Sequence, residues 1–133
     1  PVQYTASDGR FRLGVLTDAG HGTAHITDAL GGCDALLLEC NHDPAMLAAS
    51  NYPPSLKARI GGPYGHLSNA AAAQVLAALD RSRLSMVVAA HLSQQNNTPE
   101  LAHAAVHQVV GETCEIRVAC QHDGFGWIGA GAS

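Results

Sequence analysis

Apolar positions along this chain follow two periods. Short unbroken runs, "ALLLEC" at Ala35–Cys40 and "MVVAA" at Met86–Ala90, have the length and composition of strands buried on both faces. Alternating residues over Val2–Ala6 and Arg10–Thr17 flank Ser7-Asp8-Gly9, a turn signal, and predict a β-hairpin. Glu115–Ala119 reads as a last strand. Elsewhere the spacing is helical. Ala72, Val75, Leu76 and Leu79 fall on one face of an alanine-rich segment capped by Ser68 or Asn69. Pro99–Val110 is a helix with Thr98 as its cap, and Thr23 caps a short helix that Gly31-Gly32 ends at Leu30. Asp43-Pro44 is a cap followed by a first-turn proline and opens a helix to about Ala49. Ser55–Ile60 is a short helix stopped by Gly61-Gly62-Pro63, and "DGFGWIGAGAS" is a tail with Phe125 and Trp127 available to dock it.

Strands alternate with helices, so the class is α/β, bordering on α+β, with mixed strand pairing. Of the 133 residues, 47 % are apolar and 14 % charged, which suits a chain with a core and excludes a disordered one. The formal net charge is −4, with no basic stripe. Electrostatics alone therefore do not recruit a nucleic acid; such a substrate needs a local positive charge, for example metal ions. No apolar run approaches the roughly 20 residues that span a bilayer, and "PVQYTASDGRFRLG" has no secretory pattern. Cys33, Cys40, Cys114 and Cys120 show no C-x-x-C spacing, and three lie in or beside apolar stretches where a thiol packs as a small core residue. The expectation is a reducing, cytoplasmic setting with no membrane contact.

Polar chemistry concentrates where the predicted strands stop. "GVLTDAGH" ends in Asp18 and His21; "ALLLECNHD" ends in Glu39, His42 and Asp43; "MVVAAHLS" ends in His91 and Ser93. The loop "GPYGHLSN" delivers His66 and Ser68 just before a helix. Each has a bland alternative. Asp18 suits a turn cap, Glu39 a buried acid bonded to backbone, and His42 a helix-entry residue. His25, His103, His107 and His122 read as structural or solvated. The set is what points to a site, because loops beyond strand ends converge while the strands stay rigid. Carboxylate and imidazole together suit a borderline divalent ion, and a histidine outside the ligand set can donate a proton to a leaving oxygen.

"LTDAGH", "LLLECNHD", "GHLSNAAAA" and "AAHLSQQNN", in this order, resemble the C-terminal half of metallo-β-lactamase-fold hydrolases. Within that superfamily they look most like the WalJ/YycJ-type bacterial proteins, relatives of tRNA-processing and RNA-degrading nucleases. "QHDGFGW" in the tail is also similar. The resemblance implies half of an αββα sandwich: a mixed sheet with helices on one face and an apolar second face that meets another sheet. It implies a site of two divalent metal ions, zinc or manganese, in the complete domain. Carried over motif by motif, Asp18 is the bridging metal ligand and His91 the last metal-binding histidine. His66 is the proton donor beside the scissile phosphate, and Glu39 is the acid that orients it. Ser68, Ser93 and Asn96 are candidate phosphate contacts.

The family's His-x-His-x-Asp-His cluster is absent from this chain and lies, in the family, N-terminal to the matched region. The expectation is therefore one partial domain over residues 1–133, inactive alone and binding metal weakly or not at all. Its partners are a nucleic acid or another phosphodiester, and either the missing half or a second copy against the exposed sheet face. The function expected of the parent is that of a metal-dependent phosphodiesterase or DNA exonuclease. The alternatives are a non-catalytic α/β fragment or scaffold pairing with a partner chain, and a thioester or lactone hydrolase of the same fold.

Overall fold

In the computed structural model, residues 2–17 and 23–119 are described. Asp18, His21, Cys120, His122, Phe125 and Trp127 lie outside the described residues. The chain runs β1 (Val2–Ser7), β2 (Arg12–Thr17), α1 (Ala24–Leu30), β3 (Ala35–Glu39), α2 (Pro44–Ala49), α3 (Pro54–Gly61), α4 (Asn69–Ala78), β4 (Met86–Ala90), α5 (Pro99–Val110) and β5 (Glu115–Val118). The strands form one sheet in the order β1-β2-β3-β4-β5. β1 and β2 pair antiparallel, and β2 through β5 pair parallel.

The hairpin turn is longer than Ser7-Asp8-Gly9. The Asp8 carboxylate accepts from the backbone N–H groups of Arg10 and Phe11, both at 2.8 Å, so β2 begins at Arg12. Gly9, at φ 92°, takes the left-handed position that the turn requires. The expected caps are in place. Thr23, Asp43, Ser68 and Thr98 each accept from the backbone N–H three residues on, at 3.0 to 3.2 Å.

Each parallel crossover steps to the next strand in the same direction, so crossovers of one hand put their helices on one face. The main core shows this. Register aligns Leu16 with Leu38 and Leu38 with Ala89; one step earlier it aligns Leu36 with Val87 and Val87 with Ile116. These rows pack against Ile26 and Leu30 of α1, Ala72, Val75 and Leu76 of α4, and Ala102, Val106 and Val110 of α5. The period-2 alternation sends Ala35, Leu37 and Glu39 to the opposite face. There Ala35, Met86 and Val88 form a second cluster with Phe11, Leu37 and Ala119. The expectation of an exposed apolar second face therefore holds only toward the hairpin, where Tyr4 and Leu13 are exposed; at the centre of the sheet Met86 and Val88 are buried.

Gly14 sits in the helix-facing row of β2. A Cβ there would lie 2.9 Å from Cys33 Sγ and 3.0 Å from both Leu30 Cδ2 and Leu36 Cδ1. Gly14→Ala gains less than about 1 kcal/mol from a stiffer unfolded chain, but three packed side chains from separate segments must move to admit it. The expected net result is a loss of about 1–3 kcal/mol, read as a lower denaturant midpoint with unchanged slope. A midpoint at or above the parent's would show that the packing around β2 yields freely.

Candidate active site at the C-terminal edge of the sheet

Parallel strands end on the same edge, so β2, β3 and β4 deliver Thr17, Glu39 and Ala90 side by side, with β3 between the other two. Asp18, the residue after β2, lies outside the described residues. Glu39 closes β3 and is fully buried. An ionised carboxylate is costly to bury unless donors surround it, and Glu39 has them. Its Oε1 lies 3.0 Å from His66 Nδ1 and accepts from the Leu67 backbone N–H at 3.1 Å. Its Oε2 lies 3.3 Å from His91 Nδ1. The two imidazole rings meet edge to face with centroids 5.5 Å apart. Both rings turn Nδ1 to the same carboxylate, which leaves Nε2 of each directed away from it. Both are partly exposed, at 37 % and 43 %.

The backbone around these side chains is tied together by loops distant in sequence. His91 follows β4 with φ 62°, the only positive φ at a non-glycine among the described residues. Such a conformation costs of order 1–3 kcal/mol and persists only where surroundings enforce it. Asn41 enforces it: its Nδ2 donates to the His91 carbonyl at 3.0 Å, and its own carbonyl accepts from Ser93 N–H at 2.7 Å. Asn41 N–H also donates to the Leu67 carbonyl at 2.9 Å, so one residue links the loops that carry both histidines. Beneath it, Asn69 and Asn97 exchange a pair of amide bonds at 2.8 and 2.9 Å, and Asn97 Nδ2 donates to the Cys40 carbonyl at 2.8 Å. The burial of Asn69 and Asn97 is offset by complete pairing of this kind.

His42 is buried and its Nδ1 lies 3.2 Å from Asn41 Oδ1. Burial, with a smaller contribution from His66 nearby, holds its pKa below the ordinary imidazole value. Cys40, behind the site, is fully buried, and burial pushes its thiol up to about 12. Cys33 is raised by the same cause, so neither is available as a thiolate at neutral pH. Cys33, Cys40 and Cys114 are all free.

One ligand atom from each of Glu39, His66 and His91 lies within 4.8 Å of the others, a donor set able to hold a divalent cation.

No protein-family model matches the chain. A curated relative, the exodeoxyribonuclease YycJ of Bacillus anthracis, is 35 % identical over 123 residues, covering 87 % of this chain and 47 % of the relative. The exodeoxyribonuclease WalJ of Streptococcus pneumoniae is 36 % identical over 89 residues, covering 67 % of this chain and 33 % of the relative. The metallo-β-lactamase-fold protein YhfI of Bacillus subtilis superposes with a TM-score of 0.63 at 16 % identity, over 96 % of this chain and 45 % of that one. Over the matched residues this chain resembles the WalJ/YycJ-type proteins, and its fold is that of the metallo-β-lactamase superfamily member it superposes on. It spans less than half the length of the curated relatives it matches.

In this metallo-β-lactamase-fold chain, the expected site residues fall into three groups. Glu39, His66 and His91 come together. Ser93 and Asn96 line a cavity of about 360 Å³ that His66 also borders. Within it, Ser93 Oγ accepts from Asn96 N–H at 3.1 Å, and the buried Asn96 Oδ1 has no hydrogen-bond partner among the described residues. Ser68 borders a second cavity next to His66, but its Oγ accepts from Ala71 N–H as the cap of α4. His107, expected to be structural or solvated, is exposed and stacks on His103, with Glu112 at 2.9 Å from its Nε2. Asn41 and Asn97 escaped the sequence reading, and Asn69 enters it only as an alternative to Ser68 as the cap of α4. Their only local signal is their position beside the motifs, in "ECNHD", "HLSNA" and "QQNNT".

Proposed function

We propose that this chain contributes the proton donor and part of the metal-ligand set of a dinuclear, metal-dependent phosphodiesterase that degrades DNA from an end. The observation that carries this reading is a single buried carboxylate bonded to Nδ1 of both His66 and His91. A carboxylate behind an imidazole fixes its tautomer and aims Nε2, a common arrangement behind metal-binding histidines. The names of the curated relatives support the same chemistry.

In this reading His91 and Asp18 hold metal, and zinc or manganese supplies a hydroxide-like nucleophile at neutral pH when bound. His66, oriented by Glu39 through Nδ1, gives a proton from Nε2 to the leaving oxygen. The Leu67 N–H holds the carboxylate in place from the other side. Ser68, Ser93 and Asn96 border the two cavities beside His66 and are the nearest candidates to contact phosphate. The chain is a partial domain over residues 1–133, cytoplasmic, whose remaining ligands come from the rest of the fold packed against its second sheet face. Among the described residues no helix is long and apolar enough to cross a membrane.

The test uses the protein in which this chain is continued to its relatives' length, alongside residues 1–133 alone. The longer protein is expected to degrade linear DNA, to lose that activity to a chelator and to regain it with zinc or manganese. Residues 1–133 alone are expected to leave DNA intact and to bind either metal weakly. Intact DNA with the metal-loaded longer protein would overturn the reading, and a thioester or lactone cleaved in its place would favour the other hydrolase chemistry.

A further inference from the structure

His66 borders two cavities of opposite character. On one side, Asn41, Ser93, Gln94 and Gln95 present amides and a hydroxyl. On the other lies a cavity of about 530 Å³, within the range of roughly 300–1,000 Å³ usual for small-molecule sites. Its walls are mostly apolar, from Pro44 and Leu47 of α2, Ala58 of α3 and Ala71 of α4. Besides His66 and Ser68 at its rim, two polar side chains line it. Lys57 is held by a 2.7 Å bond from Nζ to the Ala48 carbonyl and brings a positive charge to the cavity. The other is His42.

The bonds around His42 determine what it presents. Asn41 Nδ2 donates to the His91 carbonyl, so the acceptor end of that amide, Oδ1, faces His42. His42 Nδ1 must then be the donor, and in the neutral ring Nε2 is an acceptor. Nε2 has no hydrogen-bond partner among the described residues, and its ring lines the cavity. A ligand that matches is flat and apolar on its faces and carries an N–H on its edge. Every DNA base meets that description, because each has at least one ring or exocyclic N–H on its pairing edge.

We propose that this cavity is the subsite for the terminal nucleobase of the DNA. The base lies between α2, α3 and the start of α4, with an N–H donated to His42 Nε2, and its phosphate is left at His66 with Lys57 close by. The sugar–phosphate strand continues into the amide-lined cavity. The inference rests on the nuclease reading above for the identity of the ligand. The site favours any base over none, since one acceptor does not distinguish the four.

The first measurement is binding and needs no turnover. Deoxyadenosine 5′-monophosphate is titrated into the protein beside deoxyribose 5-phosphate, which has the sugar and phosphate but no base. The nucleotide is expected to bind at least 10-fold more tightly. Ala58→Phe, at an exposed position of α3, fills the cavity and is expected to remove that difference without lowering the melting temperature. Equal affinity of the unaltered protein for the two ligands overturns the subsite, whatever the variant does. The second measurement separates the two ideas. DNA hydrolysis that is indifferent to an abasic terminal nucleotide overturns the subsite and leaves the nuclease reading standing. Base-dependent binding with no DNA hydrolysis by the longer, metal-loaded protein keeps the subsite and overturns the nuclease reading.

Discussion

His66→Ala is expected to slow phosphodiester hydrolysis by roughly 10²–10⁴-fold, the usual worth of general acid–base catalysis, while metal content stays at the parent level. His91→Ala is expected to lower metal content and activity together, because no neighbouring group replaces a ligand nitrogen. The two rings touch the same carboxylate and sit edge to face, so bulk disturbance of the site should be similar for both. Divergent metal content is therefore the informative readout. The His66 defect should shrink on a nitrophenyl phosphodiester, whose leaving oxygen needs little help from a proton. Metal analysis with hydrolysis rates on both substrates decides the matter. Equal metal loss in both variants would make His66 a ligand, a reading to which the 4.8 Å proximity of the three donor groups gives substance. Ligation through Nε2 would leave the Nδ1 contact of His66 with Glu39 in place, whereas an ion that also took Glu39 would have to displace it. Parent rates for His66→Ala on DNA would make its place before α4 merely structural.

Glu39→Gln should separate the two histidines in another way. Among the contacts of the Glu39 carboxylate, Oε1 meets His66 Nδ1 and the Leu67 N–H, and Oε2 meets His91 Nδ1. A glutamine has one acceptor oxygen and one donor amide. With its oxygen kept in the place of Oε1, facing His66 Nδ1 and the Leu67 N–H, its NH₂ faces His91. His91 Nδ1 must then accept, so its proton moves to Nε2, the atom proposed to bind metal. The expected result is a 10–100-fold loss of metal affinity, the typical cost of losing a carboxylate behind a ligand histidine. At saturating metal, the proton-donor step should be affected less. Glu39→Ala removes both supports and should add the His66 defect to the metal defect. Metal titrations and rates at saturating metal check this, and unchanged metal affinity in Glu39→Gln would show that the carboxylate does not set the His91 tautomer.

Much of the fold is legible in the residues themselves. The span Met86–Ala90 and the helix Pro99–Val110 follow from apolar runs and helical spacing, since burial of a face imposes its period on the sequence. Thr23, Asp43, Ser68 and Thr98 are recognisable as caps because each satisfies a backbone donor only three residues away. Alternation of strands and helices implies parallel pairing, and parallel pairing puts the strand ends on one edge. The clustering of Glu39 and His91 at that edge is thus implied by order alone, and the four motifs indicate the family.

The contacts inside the cluster are another matter. Nothing local to "ALLLEC" says that Glu39 serves two histidines, one of them 27 positions away. The left-handed turn at His91 is set by an amide 50 positions distant, on Asn41. The pairing of Asn69 with Asn97 and the burial of His42 likewise depend on how three loops lie across one another. Local sequence encodes which residues are buried and which turn the chain, because those preferences act within a few residues. The atom that a buried carboxylate meets is decided by strand register and loop path, which belong to the folded chain as a whole.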